Sequence, residues 1–259
     1  MDKYPLYRAK AALARLPHTS EGMRLRHLAI IALGGLVLLP VASAISQEQK
    51  TGDKKPPATG TVTPVYTPPI RGAPRGRVGG GTRGTGREVF VLSVLAPDHS
   101  GLTVSEQPSL YWYISAPTSL PVELTVMDPG LTQPLLEVRL TAPIEAGIHR
   151  LRLSDHGVRL AHGVAYRWYV AVVPDAGRRS RDILAGGAIE RINPSSEVAV
   201  RLGQARREDL PAIYAEAGLW YDALATMSDL IESAPDDTEL RRQRAALLSQ
   251  VGVPLAAER

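Results

Sequence analysis

From Val89 to about Ile192 apolar side chains recur at every second position, the period of a strand with one buried face. Leu110, Trp112 and Ile114 share one face of a segment whose other face carries Tyr111 and Tyr113. Val122, Leu124 and Val126 alternate with Glu123 and Thr125, and Leu136, Val138 and Leu140 alternate with Glu137 and Arg139. Leu151 and Leu153 flank Arg152, and Tyr166, Trp168, Val170 and Val172 repeat the pattern. Turn residues divide these runs at Pro97-Asp98, Ala116-Pro117, Asp128-Pro129-Gly130, Ala146-Gly147, Asp155-His156-Gly157 and Pro174-Asp175. Short strands punctuated in this way predict an antiparallel β-sandwich domain over residues 88–193, each sheet with one buried and one wet face.

After Asn193-Pro194 the period becomes helical, with Ser195 or Ser196 placed to cap EVAVRLGQARR. Further helices are predicted around residues 210–218, 220–227 and 237–250. The predicted fold class is therefore α+β, with residues 194–259 forming a small helical tail. A lone helix pair cannot bury its apolar stripe unaided, so the tail is expected to dock on the sandwich with Trp220 and Tyr221 at the seam. Two local resemblances sharpen the picture. The spacing of Leu160, Gly163, Tyr166, Trp168 and Val170 resembles the immunoglobulin-like corner in which a tyrosine bonds back to the preceding turn. The spacing of Tyr214, Gly218, Ala223, Met227, Leu230 and Pro235 resembles one tetratricopeptide repeat.

The first 44 residues read differently. The apolar run Leu28 to Leu39 follows Arg24 and Arg26 and precedes Ala42-Ser43-Ala44, the layout of a secretory signal peptide cut after Ala44. Residues 1–22 fit no part of that layout, so Met23 is a candidate start. A periplasmic or secreted location follows, and after cleavage nothing is expected to span the membrane. Residues 45–87 are rich in Pro, Gly, Thr and basic side chains and predict a disordered or extended tether.

Charge follows the same partition. The formal charge of +4 is carried by residues 1–44, which hold six basic and two acidic side chains. The tether has eight basic and two acidic residues, against 16 and 22 in the rest, so a positive arm precedes a negative body. Although Gly79, Gly81 and Gly84 satisfy a dinucleotide-type glycine pattern, a Pro-rich stretch precedes it and a strand follows it, the reverse of what that site needs. No nucleic-acid partner is expected. The absence of cysteine excludes disulfides, thiolate metal sites and a cysteine nucleophile.

Several spaced motifs occur in one order: Pro68-Pro69-Ile70-Arg71-Gly72-Ala73-Pro74 with Gly79-Gly80-Gly81-Thr82-Arg83-Gly84, then Ala96-Pro97 with Gly101-Leu102-Thr103. Pro108-Ser109-Leu110-Tyr111-Trp112-Tyr113, Tyr166-Arg167-Trp168-Tyr169 and Gly218-Leu219-Trp220-Tyr221-Asp222-Ala223-Leu224 complete the series. Over residues 66–252 this resembles the bacterial family known as domain of unknown function 928. The resemblance implies an exported protein with a β-rich part, a helical end and no assigned activity. Many relatives carry a cysteine pair that this chain lacks, so that disulfide does not carry over.

Candidate chemistry is sparse. No nucleophile elbow, zincin motif or acidic calcium loop occurs, and neither a catalytic residue, a metal site nor a cofactor is predicted. His149 alternates onto the apolar face with Leu151 and Leu153 and reads as a hydrogen-bonded core histidine; His156 and His162 are spaced as a two-histidine metal site or as turn residues. Asp98 and His99 sit together on a loop, either as a binding site or as a capped turn. Arg178, Arg179 and Arg181 cluster with Asp182, suited to bind an anion bidentately or to pair with neighbours. Tyr111, Tyr113 and Tyr169 face away from Trp112 and Trp168, so that either helices cover them or a ligand does. The expected function is a non-catalytic binding or scaffold module whose partner is another envelope protein. The alternative is an envelope hydrolase of glycans or phosphoesters, for which Asp98, His99 and Asp182 would have to converge in one cleft.

Overall fold

In a computed structural model that describes residues 63–70, 82–83 and 90–253, the two-residue period becomes nine strands and the helical period four α-helices. The predicted signal peptide, most of the tether and the last six residues lie outside the described residues. The strands are β1 (Thr82–Arg83), β2 (Phe90–Val94), β3 (Gly101–Thr103), β4 (Ser109–Ile114), β5 (Val122–Met127), β6 (Leu136–Leu140), β7 (Gly147–Arg152), β8 (Ala165–Val172) and β9 (Ile183–Arg191). The helices are α1 (Ser196–Gln204), α2 (Leu210–Glu216), α3 (Trp220–Ser233) and α4 (Thr238–Ser249).

The strands form a four-stranded sheet in the order β1-β2-β4-β7 and a five-stranded sheet in the order β3-β9-β8-β5-β6. Neighbours run antiparallel except β3, which lies parallel to β9 with Gly101 opposite Ile189. In β5 the sequence alternation is realised directly, with Val122, Leu124 and Val126 fully buried and Glu123 and Thr125 partly exposed. Trp112, Leu110 and Ile114 of one sheet and Trp168, Val170 and Val172 of the other meet in one apolar core. The Tyr166 hydroxyl accepts a hydrogen bond from the Ala161 N–H at 3.0 Å, pinning the corner before β8.

Strand β9 escapes the two-residue reading because both faces of its middle, Ala185 to Ile189, are buried. Its centre, Gly186-Gly187, passes over Tyr169 and Trp168; a Cβ on Gly186 would lie 2.5 Å from Tyr169 Cδ1. Residues buried on both sides lose the alternation that marks a half-wet strand.

The helices begin and end for local reasons. The Ser195 side chain accepts from the Val198 N–H and caps α1. Asp237 accepts from the N–H groups of Glu239 and Leu240 and caps α4. α3 continues well beyond the predicted end, burying Leu224, Met227, Leu230 and Ile231. It also covers part of the tyrosine face, of which Tyr169 stays half-buried. Tyr111 and Tyr113 are buried, and α3 covers Tyr111 through Arg150, which donates to the Tyr111 hydroxyl at 3.3 Å and to Asp229 of α3 at 2.7 Å.

Within residues 45–87, expected to be a disordered or extended tether, two described pieces have partners. Thr82–Arg83 pairs with β2. Residues 63–70 form a strap against the helices. Its backbone groups find distant partners: Tyr66 N–H donates to Gln250 Oε1 at 2.7 Å, Gln250 Nε2 donates to the Pro64 carbonyl at 2.9 Å, and Thr67 N–H donates to the Ala215 carbonyl at 3.1 Å. Gly218, at φ +75°, ends the turn after α2, and a side chain there would strike the Thr67 carbonyl at 2.9 Å. The strap is held by its neighbours and not by any period of its own.

Tyr66 is only 6 % exposed, so Tyr66→Ala should lower stability by about 3 to 5 kcal/mol. Urea unfolding followed by tryptophan fluorescence measures this. A midpoint equal to that of the unmodified protein would show that the strap contributes nothing to the core.

Candidate functional site

Three consecutive side chains at the start of α3 hold the helices to both sheets. Trp220 Nε1 donates to the Leu95 carbonyl, just past β2, at 2.9 Å. The Tyr221 hydroxyl donates to the Ala188 carbonyl of β9 at 3.0 Å and accepts from Trp168 Nε1 of β8 at 2.8 Å. Asp222 reaches β3: its Oδ1 accepts from the Thr103 hydroxyl at 3.1 Å and its Oδ2 from the Val104 N–H at 3.0 Å. Burial pushes the Asp222 carboxyl up to about 7 despite these hydrogen bonds, which favour the charged form. Beside it lies a cavity of about 190 Å³ whose lining includes Ser105, Gln107, Tyr214 and Thr226.

Sequence reasoning did not single out Asp222. An acidic residue in the first turn of a helix ordinarily reads as a complement to the helix dipole at the surface. The signal that it is buried was the run Trp220-Tyr221-Asp222-Ala223-Leu224, in which large apolar groups surround the carboxylate on every helical face.

Asp98 and His99 form a closed chain with the strap. His99 Nδ1 lies 3.2 Å from Asp98 Oδ1, and His99 Nε2 lies 2.9 Å from the Tyr66 hydroxyl. The Tyr66 ring in turn meets Trp220 edge-on at 5.0 Å. Burial first, and the Asp98 carboxylate second, hold the Tyr66 phenol well above its ordinary value. Tyr66 therefore keeps its proton at neutral pH. Both ring nitrogens are engaged in holding the strap.

The arginine loop is divided in its roles. Arg179 donates to Glu123 Oε2 at 2.7 Å and to Asp182 Oδ2 at 2.8 Å, so it bridges two carboxylates of its own chain. Arg178 approaches Asp175 only at 3.8 Å. Arg181 is exposed and, among the described residues, its side chain has no partner. Asp182 directly precedes Ile183 at one end of β9, whereas His99 lies two residues before Gly101, which pairs with Ile189. Six residues of extended chain, about 20 Å, separate these ends. Asp98 and His99 thus do not share a cleft with Asp182.

His149 and His162 are engaged locally, while His156 is exposed. His149 is half-buried, lies against the Trp112 ring and donates to the Glu145 carbonyl at 2.7 Å. His162 Nε2 accepts from the Asn193 N–H at 3.1 Å. Among the described residues no three His, Asp or Glu side chains gather as metal ligands, and no helix is long and apolar enough to cross a membrane. At the arginine end, a groove of about 510 Å³ opens between the start of β2, the β4–β5 connection and the neighbouring ends of β8 and β9.

Two sheets held to a helical end by Trp220, Tyr221 and Asp222 define a mixed α/β protein with a β-rich core. The chain belongs to the family described as Domain of Unknown Function (DUF928), whose model matches residues 78–259. No curated protein matches the chain.

Asp222 makes stability depend on pH in a defined direction. Its folded value lies above the ordinary carboxylate value, so the folded state holds the proton more tightly and stability falls as pH rises from about 4 to about 7. Between pH 5 and 7.5 this group should remove roughly 2 to 3 kcal/mol. Urea midpoints of the unmodified protein and Asp222→Asn at both pH values isolate the effect, and parallel pH slopes for the two proteins would refute it. For the loop, Arg179→Ala should lower the melting temperature, since Glu123 and Asp182 are then left facing each other, each with a side chain no more than 15 % exposed. Arg178→Ala should not change it. Equal melting temperatures for the two variants would mean that the Arg179 bridge is energetically silent.

Proposed function

We propose that the mature chain is a non-catalytic binding or scaffold module of the bacterial envelope, in which an immunoglobulin-like β-sandwich carries a tetratricopeptide-like α2–α3 pair. The Tyr166 corner bond supports the first comparison. The Gly218 turn between two packed helices supports the second. Export rests on the apolar run Leu28 to Leu39 and the Ala42-Ser43-Ala44 cleavage pattern.

The observation that carries the non-catalytic reading is the separation of the polar groups. Asp98 and His99 are bonded into the strap at one end of β9, and Asp182 is bonded to Arg179 at the other. A hydrolase needs its acid, base and stabilising groups around one reacting atom. Here the surface with unspent capacity is the arginine end, where Arg178 and Arg181 are exposed beside an open apolar groove. Arginine combined with apolar surface is the composition that carries binding energy at contacts.

The test uses the full chain in its own envelope. Protein recovered from that fraction should begin at Ile45-Ser46-Gln47. A photo-crosslinker at position 178 should capture one defined envelope protein, while the same group at Glu208, on the helical side, should not. Hydrolysis of a glycan or phosphoester by the purified protein, lost in His99→Ala, would overturn the proposal in favour of an enzyme.

A further inference from the structure

The groove at the arginine end is built of Phe90, Thr118, Leu120, Val172, Pro174 and Ile183, with Arg181 as its charged member. Its volume of about 510 Å³ falls in the range of small-molecule sites. Leu120 is 39 % exposed, an apolar side chain left in water at the opening. Arg181 differs from its neighbour Arg179: the latter is spent on Glu123 and Asp182, whereas the former has no side-chain partner among the described residues. We propose that this groove binds a single-chain carboxylate amphiphile, its alkyl tail against Phe90, Leu120, Val172 and Ile183 and its carboxylate on the Arg181 guanidinium.

The chemistry of the lining chooses this occupant. An extended peptide brings an N–H and a C=O at every residue, each of which must be bonded when buried. Apart from Arg181, the side chains of the lining offer only the Thr118 hydroxyl as a hydrogen-bonding group. An alkyl chain makes no such demand and gains from every methylene removed from water. One guanidinium matches one carboxylate in charge and in fork geometry. Among the described lining residues Arg181 is the one cation, which matches the single charge of a carboxylate rather than the double charge of a phosphate monoester. The site rests on the binding-module reading and gives it a ligand class.

The test is calorimetric titration of the purified chain with dodecanoate, dodecylamine and a dodecyl glycoside, repeated on Arg181→Ala and Leu120→Asp. Both substitutions fall at exposed positions, and unchanged melting temperatures check that the fold is retained. Dodecanoate should bind with one site per chain, the glycoside more weakly and the amine not at all. Arg181→Ala should weaken dodecanoate roughly tenfold or more, the loss expected for a charge-assisted hydrogen bond. Leu120→Asp should abolish binding. No binding of dodecanoate, equal binding of acid and amine, or binding insensitive to both substitutions would each overturn the proposal. Those results leave the crosslinking at position 178 to judge the binding-module reading on its own terms.

Discussion

Everything in this fold turns on the first turn of α3. A helix rotates about 100° per residue, so Trp220, Tyr221 and Asp222 fan out and reach three different pieces of sheet. Trp220 takes a carbonyl next to the four-stranded sheet, while Tyr221 and Asp222 take groups on β9 and β3 of the five-stranded sheet. One turn of helix thereby fixes the two sheets relative to each other and to the helical end. Each bond is buried, so each partner left alone would carry the full cost of an unpaired polar group. Sheets and helices are consequently interdependent parts of one core.

Asp222 is the expensive member of this trio. Its ionised form has lost most of its water, and two hydrogen bonds recover only part of that loss. No apolar side chain could replace it without leaving the Val104 N–H and the Thr103 O–H without their acceptor. The strap adds a further layer on the same spot, with Tyr66 packed edge-on against Trp220 and bonded to His99. His99 is thereby bound into structure even though, by residue type, it was the most reactive group on its loop.

This concentration of polar bonding at the seam has a functional corollary at the opposite end of β9. There the sheets end in a groove whose described lining side chains are apolar apart from Thr118 and Arg181. The fold itself does not decide what such a groove does, since similar β frameworks host many functions.

How much of this was legible in the chain varies by element. The alternation in β4, β5, β6 and β8 and the caps of α1 and α4 follow from local rules, and the motif order identified the family. Periodicity reports which face of an element is apolar, not what that face meets. Strand β9 was invisible because its centre is buried on both faces, and the strap because its Pro-rich backbone is satisfied by residues such as Gln250, 184 positions away. Asp222 looked like a surface charge because its partners lie 118 and 119 residues earlier. Likewise the sequence placed three arginines in one loop but could not say which was already paired, since Glu123 reaches Arg179 only once β5 is beside the loop. The elements and the family are set by the sequence alone, through short-range pattern. Which polar groups are spent and which remain free was decided only by long-range packing, because hydrogen-bond partners are chosen in space and not along the chain.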